Sequence, residues 1–104
     1  MASVKITVLD KIARKDLQKE YGTMDFKDSD DTTCDMFKTG DTFIFKSGDG
    51  VPAGFCPWAW ADIHRDVVAV KSGANFRHIK SAGTQISCCT DGLRPVFFKI
   101  ERID

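Results

Sequence analysis

Val4, Ile6 and Val8 alternate with Lys5 and Thr7 near the start of the chain, the period of two that a strand with one buried face requires. A first strand is therefore expected there. From Ala13 to Tyr21 the residues are good helix formers, with Leu17 and Tyr21 one turn apart on one face and Lys15, Gln18 and Lys19 elsewhere. This pattern predicts a short amphipathic helix over 13–21, ended by Gly22. The segment Thr42-Phe43-Ile44-Phe45-Lys46 is β-prone and runs into two clusters of turn residues between positions 47 and 54.

The strongest periodic signal follows. Pro57 suits the first position of a helix, Trp60, Ile63, Val67 and Val70 recur at helical spacing, and Gly73 stands where a left-handed cap is wanted. A principal helix is expected over about 57–72, with Asp62, Arg65, Asp66 and Lys71 on its polar face and Asp62 and Arg65 spaced for a weak surface pair. Residues 84–89 and 96–101 both read as strands, joined through Thr90-Asp91-Gly92-Leu93-Arg94 as an antiparallel hairpin. The sum is an α+β fold: a small, mainly antiparallel sheet with the principal helix packed on it and the short helix near the N-terminus.

Length then bounds the answer, since 104 residues make one domain, 1–104, able to form one core without obligatory cross-links. Fifteen Lys and Arg balance fifteen Asp and Glu. A general nucleic-acid binder needs a surplus of cations, so that class is set aside. The richest apolar run, Gly54 to Ala61, is closed by Asp62 well short of the roughly 18 residues of a membrane span. A cytoplasmic protein is expected, without membrane association and with a protein partner or a second copy as its candidate associates. Asp25, Asp28, Asp30 and Asp31 crowd one loop, but the glycine and closing glutamate of a calcium loop are missing.

Thiol chemistry is the main candidate. Cys34, Cys56, Cys88 and Cys89 are the four cysteines. Their spacing lacks the two close ligand pairs of an ordinary zinc site, so a subset completed by His64, His78, Asp35 or water is the form a zinc or iron–sulfur site would take. Cys88 and Cys89 point to opposite faces if both lie in a strand. Cys88, next but one to Ile86, is expected inside and Cys89 outside, with the reverse left open. Cys56 falls at the N-cap of the principal helix, where unpaired backbone N–H groups favour a thiolate as nucleophile or metal ligand. Arg94 offers a planar fork for an anion, against the commoner fate of an ion pair inside the fold. His64 reads as a boundary residue of the helix.

Two blocks, Gly54-Phe55-Cys56-Pro57-Trp58-Ala59-Trp60-Ala61-Asp62-Ile63 and Cys88-Cys89-Thr90-Asp91-Gly92-Leu93-Arg94-Pro95-Val96, resemble a family of short prokaryotic proteins of about this length whose activity is uncharacterised. The resemblance implies a shared fold and no particular chemistry. Three readings stay open: a cysteine-centred metal or iron–sulfur site at the start of the principal helix, a noncatalytic interaction module with inert buried cysteines and an aromatic patch near Phe55, Trp58 and Phe76, or a thiol protein working through Cys56.

Overall fold

The alternation that opens the chain becomes strand β1 (Ser3–Lys11) in a computed structural model that describes residues 3–23, 26, 32–46 and 48–103. Asp25, Asp28, Asp30 and Asp31 of the acidic loop lie outside the described residues. Helix α1 (Lys15–Tyr21), strand β2 (Thr42–Lys46), helix α2 (Pro57–Lys71), strand β3 (Thr84–Cys88) and strand β4 (Val96–Arg102) follow. The four strands form one antiparallel sheet in the order β2-β1-β4-β3, so the expected hairpin of β3 and β4 makes one half of it. The α+β reading of the sequence therefore holds.

Side-chain alternation fixes which face is covered. Val4, Ile6 and Val8 of β1 and Val96, Phe98 and Ile100 of β4 all point to the side on which α2 lies, and all are buried. The helix answers with Ala59, Ile63, Val67 and Val70. Gly73 ends the helical segment at φ 101°, the left-handed conformation that a residue without a Cβ adopts cheaply. Over the β2 side, Phe37, Phe43, Phe55 and Phe98 meet edge-on or tilted at centroid separations of 4.9–5.9 Å. Such ring pairs add to what area burial alone contributes.

Two local expectations change. Tyr21, placed by periodicity on the inner face of α1, is 77% exposed, and the residue of α1 that is buried is Gln18. Its Nε2 donates to the carbonyls of Thr32 (3.2 Å) and Leu93 (2.8 Å), so this helix is fastened by an amide fork rather than by an apolar stripe. Asp62 does not pair with Arg65 but turns to Thr90, as described below. A bulge supplies the third surprise: Val8 pairs with Phe98 and Asp10 with Phe97, leaving Leu9 as an extra residue in β1. That insertion reverses the alternation beyond it. Lys11, opposite buried Val96, is thereby turned toward the core side, where its Nζ donates to the carbonyl of Cys34 at 3.1 Å.

Candidate functional site

Three segments distant in sequence meet at the N-terminal end of α2. The first is the loop before β2, tied down through the Lys11 bond to Cys34. The second is the N-cap of α2, where Cys56 is extended (φ −66°, ψ 125°) and its carbonyl accepts the first helical bond from Trp60 at 2.9 Å. Pro57 has no N–H to lose at that position, which is why the helix starts there. The third is the connection between β3 and β4. Between them lies a cleft of about 400 Å³, large enough for a small organic molecule.

Cys34, Cys56 and Cys89 all line this cleft, with Met36 adding a thioether sulfur. All four cysteines are free. Cys34 and Cys56 are half-buried, whereas Cys89 is buried and its Sγ accepts the N–H of Val96 at 3.3 Å. Cys88 is exposed, so the preferred assignment of the adjacent pair is reversed: Cys89 faces in and Cys88 out. The reason is that β3 puts Gln85 on the helix side, opposite buried Ile100, which sends Ile86 and Cys88 to the uncovered face. Burial pushes the Cys88 thiol up, and the neighbouring Cys89 and Asp62 act in the same direction.

The turn after Cys89 is self-contained. Asp91 Oδ1 accepts the N–H groups of Leu93 (3.0 Å) and Arg94 (3.2 Å), while Oδ2 takes Nε of Arg94 at 3.0 Å. Burial opposes ionisation of Asp91, yet these bonds and the guanidinium hold its carboxyl below the usual carboxylate range. Arg94 thus forms an ion pair inside the fold through Nε; it is half-exposed, and its guanidinium lies 5.5 Å from the ring centre of Phe26. Because the folded carboxyl is the stronger acid, its stabilisation is complete above the ordinary aspartate value of about 3.9 and is lost as pH falls through the lower folded value. Asp91→Asn is expected to lower stability by about 1 kcal/mol at pH 7, solvent at the guanidinium keeping the figure small. Urea unfolding of both proteins at pH 7 and near pH 2 should show that difference shrinking in acid.

Sequence reasoning left one group out of the site. Thr90 donates through its backbone N–H to Asp62 Oδ2 at 2.7 Å, and its hydroxyl donates to the same carboxylate at 3.0–3.1 Å. Trp58 Nε1 in turn donates to Thr90 Oγ1 at 3.1 Å. The i, i+4 spacing of Trp58 and Asp62 on one helix was the available signal, but only the fold brings Thr90 between them. His64 stays outside the cleft, exposed and 4.9 Å from the ring of Trp60.

The alternatives fare differently. Among the described residues no group of three or more His, Cys, Asp or Glu side chains is placed to hold a metal ion. The aromatic patch loses Phe55, which is 5% exposed inside the core, while Phe76 is half-buried against it. No helix among the described residues is long and apolar enough to cross a membrane. No family model, curated protein or solved structure matches the chain.

Proposed function

We propose that this protein works through thiol chemistry on a small molecule held in the cleft, with Cys56 as the reacting thiol and Cys34 as the second sulfur available to it. The observation that supports this reading is the convergence of Cys34, Cys56 and Cys89 from three separate segments on one cleft of small-molecule size. Cys89 has its sulfur occupied by the Val96 N–H, and Cys88 is on another surface. Cys56 carries no side-chain capping bond, so its half-buried sulfur is left uncommitted at the wall of the cleft.

Competitive labelling with iodoacetamide, read by mass spectrometry, tests it. At pH 7.5 Cys56 and Cys34 are expected to react at least about tenfold faster than Cys89, each tenfold corresponding to about 1.4 kcal/mol of barrier. Cys88 should lag despite its exposure and accelerate as pH rises through its raised value. Uniformly slow labelling of all four thiols at pH 7.5 would remove the reading.

A further inference from the structure

We infer that the cleft selects a planar, uncharged ring compound, stacked on Trp58, and that Thr90 and Asp62 are positioning residues for that indole. The inference rests on the cleft being the working site, and not on which thiol reacts there. Trp58 is 65% exposed, in a chain that packs its other tryptophan, Trp60, against Phe45 and Phe55. An indole left in water forfeits its hydrophobic contribution. Here it is also held still: Nε1 is bonded to Thr90, and both oxygens of Asp62 are used in fixing Thr90. A free surface tryptophan would need no such anchor. Fixing the ring in advance lowers the ordering cost that a stacking ligand would otherwise meet.

The charge pattern sets the rest of the class. Arg94 is the cation lining the cleft and Asp91 the anion, and Nε of the one is bonded to Oδ2 of the other, so the two side-chain charges of the lining offset each other. Phe37, Ala59, Val96 and Met36 make the remaining wall mainly apolar. An exposed indole among mainly apolar lining residues, around a space of about 400 Å³, suits a fused two-ring molecule better than an ion or a chain-like acid.

The probe is 2-naphthol, which carries neither a disulfide nor an electrophilic carbon, titrated into nitrogen-15-labelled protein. The two tryptophans give two indole N–H signals, assigned with Trp58→Phe. The Trp58 signal should move saturably, and decahydro-2-naphthol, with the same carbon skeleton but no flat face, should bind at least about tenfold more weakly. Trp58→Ala should weaken 2-naphthol about tenfold while the remaining amide signals stay in place. Thr90→Val should shift the Trp58 signal and weaken binding about threefold, with Thr90→Ser restoring both. Equal affinity for the two probes, wild-type affinity in Trp58→Ala, or no shift at millimolar 2-naphthol would overturn the inference. Naphthol binding alongside uniformly slow alkylation would remove the thiol reading alone, whereas fast Cys56 labelling without naphthol binding would remove the ring ligand alone.

Discussion

Replacing Phe98 by alanine is expected to cost about 3–5 kcal/mol, the usual range for deleting a buried aromatic ring. Phe98 is 0% exposed and sits in β4, one of the two inner strands. Its ring meets Phe37 at 5.3 Å and Phe55 at 5.5 Å, so its loss strips contacts from the loop before β2 and from the segment leading into α2 together. Those are the supports of Cys34 and Cys56. A domain of this size has a total stability of about 5–15 kcal/mol, so the variant should be close to its unfolding threshold. Urea denaturation followed by far-ultraviolet circular dichroism would show the midpoint falling. A drop below about 1 kcal/mol would mean that the aromatic cluster collapses around the gap.

Gly83→Ala should be the next most damaging change, at about 2–3 kcal/mol, because two costs coincide. Gly83 has φ 70°, where a Cβ is strained by roughly 1–2 kcal/mol. An added Cβ would also stand 2.9 Å from Nη2 of Arg102. A flexible arginine could normally move aside, but Nη1 of this one donates to the carbonyl of Val70 at 2.7 Å and its backbone N–H donates to Gly83 at 2.8 Å. Moving it breaks the bond that ties β4 to the C-terminal end of α2. Thermal unfolding of Gly83→Ala beside Arg102→Ala checks this: if the two losses simply add in the double variant, the clash is not with the guanidinium.

The elements were legible because their signals are local. Period-two alternation in Val4-Lys5-Ile6-Thr7-Val8, helical spacing of Ile63, Val67 and Val70, and the Pro57 and Gly73 boundaries each depend on neighbours in sequence, and each element forms where its pattern stands. What failed was non-local. Gln18 is inside with its amide donating to carbonyls of two other segments, which no window around residue 18 reveals. Leu9 is an extra residue only relative to a partner strand, so the turning of Lys11 toward Cys34 was hidden too.

The candidate site divides along the same line. Cys56 at a helix N-cap follows from Pro57 alone, and an ion pair inside the fold is the commoner fate of an arginine such as Arg94, with Asp91 as the partner that the structure supplies. The orientation of Cys88 and Cys89 does not: their phase is set by the register of β3 against β4, with Gln85 opposite Ile100. Ile86 suggested the wrong face because the edge strand places an isoleucine outward, at 43% exposure, and a glutamine inward. The role of Thr90 depends on Trp58 and Asp62 reaching it across the fold, and no spacing encodes that.

Strand order carries a consequence for how the molecule assembles. The inner ladder joins β1 to β4, with Val4 opposite Arg102, so its partners come from opposite ends of the described chain. Closing so long a loop is entropically slow and must precede most of the contacts that reward it. During synthesis on the ribosome β1 can meet β2 and α2 early, but its other edge would wait unpaired until β4 leaves the exit tunnel. A nascent chain stalled before residue 96 should be the form most exposed to chaperones and to aggregation.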